Sequence, residues 1–418
     1  MPKVCFYLHL HQPPRLTNIS VFGLGTQADR YFQSPEGEND QNRKIFLKVA
    51  EKSYLPMLHL LGQLLQTEPG FKCAFSISGV FIEQAQRYQP KILEILKRIV
   101  ATGKAELLGE TYYHSLASLY SPSEFKIQVK RHSELLEDLF GFTPKVFRNT
   151  ELIYSNQIGE QVSQLPFTGI LTEAVGRYLW DRPKTKVYFS YTKKKVPLLL
   201  KHAELSDDIA FRFSDKNWKE HPLSAERYLE WVEMYQETEF VNLFMDFETF
   251  GEHQWADTGI FQFWAAFVHQ FLARPGNSFV TPSEEIARAL SEFKQPSDIP
   301  DWRLYDVPEP ISWADVDRDV TAWRDNVLQQ DTLRTIYELE PQILGVGDKR
   351  LVEDWRKLQT SDHFYYMCTK WSADGDVHAY FSPYQSPYEA YRRYSIALAD
   401  IQERLLQKQA NGIFKNIT

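Results

Sequence analysis

"FVNLFMDFETFGEHQW", residues 240–255, begins as an apolar run of strand length and ends in a crowd of acids, a histidine and rings. A run apolar on both faces is what a central parallel strand requires. Working outward, six more short runs before residue 250 read the same way: "VCFYL" (4–8), "CAFSI" (73–77), "AELL" (105–108), "KVFR" (145–148), "FTGIL" (167–171) and "IAFRF" (209–213). Helical patterns separate them. Ile92, Leu96, Ile99 and Val100 recur at helical spacing and Gly103 closes that helix; Phe125, Val129, His132 and Leu136 mark another face, ended by Gly141. Strands alternating with helices predict a parallel sheet, open or closed into a barrel. Neither GxGxxG nor GxxxxGK[ST] follows any of the runs, which disfavours a nucleotide-binding sheet and leaves the barrel.

The chain has 418 residues, 43% hydrophobic, enough for a barrel-sized domain and something smaller. Proline clusters in "QPSDIPDW" and "DVPEPISW", so residues 295–313 read as a linker between a barrel (1–294) and a helical bundle (314–418). A net charge of −8 argues against a nucleic-acid surface. Three scattered cysteines form neither a CxxC pair nor a disulfide framework. The N-terminal apolar run is too short for a signal segment, and no stretch is apolar enough to span a bilayer; a cytoplasmic protein without a membrane partner is the expectation. Aromatic residues make up 14% of the chain, which suits a carbohydrate cleft as well as a ring-rich core.

Four of the seven runs lead directly into polar clusters. They are His9, His11 and Gln12; Glu110, Tyr112, Tyr113 and His114; Asn149 and Glu151; and Asp246, Glu248, Glu252, His253 and Trp255. In a parallel barrel all C-terminal strand ends share one rim, where active sites are built. No GxSxG serine and no cysteine beside a base is present, whereas paired carboxylates suit glycosidic cleavage. Glu151 and Asp246, at the ends of different strands, are the candidates. His9, His11 and His114 are placed to hold sugar hydroxyls or tune the acids. The plainer alternative makes Asp246 a helix cap and leaves Glu252 and His253 as surface residues. A further alternative uses His9 and His11, at i and i+2, with a carboxylate as ligands of a metal-dependent hydrolase, although no HExxH is present.

These clusters resemble, in order, the motif regions of glycoside hydrolase family 57: "HLHQP" (9–13), "ELLGETYYHSL" (106–116), "FRNTELIYS" (147–155), "MDFETFGEHQW" (245–255) and "LQTSDHFYYM" (358–367). The resemblance implies an incomplete (β/α)7 barrel followed by a C-terminal helical bundle that contributes to the cleft. It implies retaining hydrolysis of α-glucosidic bonds in an α-glucan, without a metal or other cofactor. Glu151 takes the nucleophile's position and Asp246 that of the general acid/base. His11, Glu110 and His114 match residues lining the subsite around the cleaved sugar, and Glu248 and Asp362 match more distantly. Gln12 and His363 lie within the motifs and join the substrate-binding set with His9. Trp255, Tyr112, Tyr113 and the rings at 364–366 are candidate sugar platforms, with ordinary core at the junction of barrel and bundle as the alternative. "FRNT" departs from the family in lacking the tryptophan that many members carry just before the nucleophile. Within the family the pattern looks most like the α-amylase group, with 4-α-glucanotransferases and branching enzymes as alternatives. Retention needs the two carboxyls about 5–5.5 Å apart.

Overall fold

The computed structural model describes residues 2–26, 30–32, 40–235, 238–314, 316–372, 375–376 and 382–415. The strands before residue 314 are β1 (Lys3–Leu10), β2 (Cys73–Ile77), β3 (Ala105–Leu108), β4 (Val146–Arg148), β5 (Gly169–Glu173), β6 (Tyr188–Ser190), β7 (Pro197–Lys201), β8 (Val241–Asp246), β9 (Ser278–Val280) and β10 (Leu304–Tyr305). One parallel ladder runs β3-β2-β1-β8, and a second runs β7-β5-β4, with β6 antiparallel to β7 and β10 parallel to β6. Two joints connect the ladders. Gly109 bridges to Phe147, its N–H donating to Val146 O and its carbonyl accepting from Arg148 N–H, both at 2.8 Å. On the other side His202 N–H donates to Asn242 O at 2.8 Å. The result is the incomplete (β/α)7 barrel, with strands β1, β2, β3, β4, β5, β7 and β8 as staves.

Both faces of the staves are buried, so the runs are continuously apolar. On β1, Cys5 and Tyr7 point into a cluster with Ala74, Leu108, Val146, Leu171, Leu199 and Phe244, while Phe6 packs outward on Trp264 at 4.1 Å. Helices fill the outer layer. Lys91–Val100 buries Ile92, Leu96 and Ile99 as the spacing predicts, and Gly103, with φ +71, follows its end. Ser224 caps Ala225–Glu233, and Thr281 with Glu284 forms a capping box on Pro282–Ser291.

The chain divides into two units: Met1–His11, Phe46–Thr111 and Lys126–Trp313 make the first, and Gln12–Ile45, Tyr112–Phe125 and Ala314–Thr418 the second. The boundaries expected from composition need correction. Residues 295–313 are part of the first unit rather than a linker: Leu304–Tyr305 is a strand, and Arg303 is buried and ion-paired with Glu239. The second unit takes two early segments besides the C-terminal helices. Within it the long helix Pro387–Lys415 packs against Val327–Glu338, Glu340–Val346 and Lys349–Lys357. Buried Glu124 receives two hydrogen bonds from Arg356, at 2.7 and 3.1 Å.

The run 209–213 is not a strand but a π-turn, Asp208–Arg212, continuing the helix Ala203–Asp207. Ile209, Ala210 and Phe213 are buried at helical spacing, leaving Phe211 52% exposed, which a stave could not tolerate. The stave in its place is β7, whose proline sits at the first residue, where no ladder donor is needed. Among the described residues no helix is long and apolar enough to cross a membrane.

Candidate active site

Side chains two apart on a strand share a face. Each stave's core residue is therefore followed, two positions on, by another inward residue. Tyr7 leads to His9, Ala74 to Ser76, Leu108 to Glu110, Val146 to Arg148, Leu171 to Glu173, Leu199 to Lys201 and Phe244 to Asp246. All seven successors are polar. They form a layer across the C-terminal end of the barrel, directly above the apolar core. Six are at most 4% exposed, while the Asp246 side chain keeps 26% of its surface open. The layer holds three carboxylates and two cations, so buried charges are compensated within it.

His9 and Asp246 are register partners on β1 and β8. His9 Nδ1 lies 3.5 Å from Asp246 Oδ1, and its Nε2 lies 3.3 Å from Arg148 Nη1 and 3.5 Å from Glu110 Oε2. The Nε2 of His9 is thus set between a cation and a carboxylate, while Nδ1 faces Asp246. Ser76 Oγ donates to Glu110 Oε1 at 2.9 Å. Glu110 N–H donates to His132 Nδ1, and His132 Nε2 donates to Ile77 O at 2.8 Å, fixing that ring's neutral tautomer. Burial lowers the His132 pKa against the opposing charge of Glu110. His11 stacks on His9 at 5.7 Å and pairs with Ser78 Oγ at 2.7 Å, so the two imidazoles share a face as i, i+2 spacing demands.

Glu151 stands three residues beyond β4 on a turn with left-handed backbone, φ 54° at Glu151 and 51° at Leu152. Such conformations cost about 1–3 kcal/mol each outside glycine and collect at functional sites. Several bonds hold the turn in place. Asn149 Nδ2 donates to Ile153 O, Thr172 Oγ1 donates to Leu152 O, and Thr150 and Thr111 share a hydroxyl bond of 2.8 Å. Trp313 binds the residue twice: its backbone N–H donates to Glu151 O at 3.3 Å, and its indole N–H donates to Glu151 Oε2 at 2.8 Å. The aromatic neighbour absent from "FRNT" is thus supplied from 162 residues away. Lys201 Nζ lies 4.9 Å from the Trp313 ring and pairs with Asp207 at 3.0 Å and Glu173 at 3.9 Å.

Asp246 opens a 3-10 turn, Phe247–Thr249, but makes no side-chain capping bond, so the helix-cap alternative is not realised. Ser53 Oγ donates to Phe247 O, the Tyr54 hydroxyl donates to Glu248, and Gln254 Nε2 donates to Ala210 O. Gly251 has φ +106, and a Cβ there would lie 1.9 Å from Lys52 O; no other residue fits. Glu252 is not a free surface acid but pairs with Lys48 and Lys52. Burial lowers the His253 pKa against the charges of Asp246 and Glu252. Trp255 is 59% exposed beneath Lys52 Nζ, 5.3 Å from its ring, and is the one expected platform clearly open to solvent.

Gln12, Tyr112, Tyr113, His114, Asp362 and His363 belong to the second unit. There the second and fifth motif segments meet: Ser115 bridges to Thr360, Ser361 N–H donates to His114 O, and Thr360 Oγ1 donates to Tyr113 O. His114 has φ 52°. Gln12 accepts from Arg15 at 2.9 Å, and His363 is buried beside Phe32 and Tyr394. Tyr113 is fully buried with its hydroxyl donating to Glu353, and Phe364 and Tyr366 are buried too.

Ser76, Arg148, Glu173, Lys201 and Trp313 were not among the sequence candidates. The first four follow from period two once each core residue is known; Trp313 has no local signal.

A family model described as glycosyl hydrolase family 57 matches residues 5–299. A curated protein named putative alpha-amylase, from Methanocaldococcus jannaschii, is 35% identical over 422 residues, covering 98% of this chain and 86% of that one. Two solved structures share the fold. The branching enzyme of this family from Thermococcus kodakaraensis is 14% identical with a TM-score of 0.67, over 97% of this chain and 90% of that one. The 4-alpha-glucanotransferase from Thermococcus litoralis is 15% identical with a TM-score of 0.61, over 87% of this chain and 56% of that one.

Proposed function

The chain belongs to glycosyl hydrolase family 57, and from that premise we propose that it is a retaining α-amylase cleaving internal α-1,4 bonds of starch, glycogen or maltodextrins. Glu151 attacks the anomeric carbon while Asp246 donates a proton to the leaving oxygen. Asp246 then takes a proton from water as the glycosyl ester is hydrolysed. The observation that carries the reading is the different surroundings of the two carboxylates. Glu151 accepts from the Trp313 indole, which favours its ionised form. Asp246 lies 3.5 Å from the His9 imidazole with part of its surface open to solvent, as a group that must alternately give and take a proton should. His9, His11, Glu110, Glu248 and Trp255 belong with substrate binding in this reading. Gln12, Tyr113, His114, Asp362 and His363 carry the same role by resemblance alone.

The test is the product profile from maltoheptaose. Short maltooligosaccharides with new reducing ends, lost in Glu151→Ala and retained after dialysis against a chelator, support the hydrolase. Chains longer than the substrate point to a 4-α-glucanotransferase, new branch points to a branching enzyme, and loss on chelation to the metal-dependent alternative. Binding without products leaves a glucan-binding module.

A further inference from the structure

The loop after β5 carries an oddity that the reaction does not use. It leads from Glu173 through the short helix Gly176–Leu179 to Trp180, whose indole is 82% exposed. Trp180 has φ 57° and ψ −129°, a backbone conformation that glycine adopts freely and a bulky residue resists. The turn is nonetheless held rigidly. Arg182 donates to the carbonyls of Tyr178 and Leu179 on one side and of Trp302 and Leu304 on the other, at 2.7–3.0 Å. One guanidinium thus ties the Trp180 turn to a second exposed tryptophan, Trp302, which is 52% exposed with Arg303 and Lys186 against its ring. Tyr178, partly buried beneath Arg177, adds a third ring.

Strain accepted in order to hold an indole in water favours a ligand over packing, because no packing is gained. The neighbourhood narrows the ligand. Exposed Arg177 and Asp181 carry opposite charges, and Arg303 and Lys186 pair with Glu239, so the corner has no strong charge of one sign. It belongs to the loop that leaves the C-terminal end of β5 and runs on towards Lys186, which with Arg303 pairs with Glu239 just before β8, so the corner lies on the flank of the barrel. A neutral, extended ligand that presents apolar C–H faces meets these conditions.

We propose that Trp180, with Trp302 and Tyr178, forms an outer platform on which a distal part of an α-glucan chain stacks, away from the bond being cleaved. The proposal rests on the glucan reading above and adds a chain-length-selecting site to it. The platform is rigid before binding, so little ordering is needed when the glucan arrives.

Trp180→Gly separates this from a structural role, since glycine relieves the strain. Amylose affinity is measured by gel retardation in a Glu151→Gln background, so that binding is read without turnover. Thermal melting and the kinetics on maltotriose and on soluble starch are measured with Glu151 intact. The expected result is about tenfold weaker amylose binding and a similar rise in KM for starch. Maltotriose kinetics should be unchanged, and the melting temperature no lower than that of the parent. Unchanged amylose affinity overturns the platform. A fall in melting temperature with unchanged starch KM makes Trp180 structural, and loss of self-association in the variant makes it a subunit contact. If the Glu151→Gln parent itself fails to bind amylose, the underlying glucan reading fails rather than the platform alone.

Discussion

The indole N–H of Trp313 donates to Oε2 of Glu151 at 2.8 Å, while the backbone N–H of the same tryptophan binds the Glu151 carbonyl. A carboxylate on a left-handed turn is thereby fixed at both ends by one distant residue. Trp313→Phe keeps the ring and deletes the indole donor. A hydrogen bond to a charged group contributes about 1.5–3 kcal/mol, so kcat/KM should fall roughly 10- to 100-fold. Losing a donor disfavours the ionised carboxyl, so the acid limb of the pH profile should move to higher pH. A profile that only scales down, with no shift, would mean that the bond does not hold the nucleophile's charge.

Lys201 lies between Glu173 and Asp207 at 1% exposure. Lys201→Met removes a buried cation from beside Glu173 and Asp207 and should cost roughly 3–5 kcal/mol in denaturant unfolding. Adding Glu173→Met should return much of that loss, giving a clear coupling term in the double-mutant cycle. Additive losses would show that the two charges do not depend on each other.

Burial lowers the pKa values of His132, His202 and His253, that of His202 to about 4. In the unfolded chain each takes up a proton near the ordinary value of about 6.5. Their contribution to stability is therefore complete above about pH 6.5 and is lost as pH falls towards the folded values. His202→Asn keeps an acceptor for Leu205 N–H at the helix start and removes one titration. Urea midpoints at pH 7 and pH 4.5 should then differ less than in the parent. An equal difference would exclude His202 as a source of acid sensitivity.

Asp246→Asn removes the proton donor but not the nucleophile. Activity on starch should fall by at least about a hundredfold, within the range for general acid–base catalysis. A maltooligosaccharide with a nitrophenyl leaving group needs little protonation, so it should still release nitrophenol in a burst. Equal losses on both substrates would place Asp246 elsewhere in the mechanism.

The staves most legible in the sequence were those whose two faces are both buried: 4–8, 73–77, 105–108, 145–148 and 240–245 all became strands, with small shifts at their ends. Residues 209–213 misled because Ile209, Phe211 and Phe213 alternate on paper, while a preceding capped helix carries the segment into a π-turn. The true stave, "PLLLK", has no β-branched residue and begins with a proline that follows a run of lysines, which reads as a turn. At the site, strand ends exposed His9, Glu110 and Asp246, and the motif pattern exposed Glu151. Arg148 and Glu173 follow from the inward positions at the ends of β4 and β5, whereas Lys201 was hidden together with its stave. Trp313 was hidden by distance, in a proline-rich segment whose packing no local pattern reveals.

The central claim is that Glu151 and Asp246 perform two successive displacements at one anomeric carbon. Proton NMR of the first products from maltoheptaose, recorded before mutarotation, reads it most directly. The account requires the new reducing end to appear first as the α-anomer and only later to equilibrate. First appearance of the β-anomer would mean a single displacement, and no glycosyl ester on Glu151.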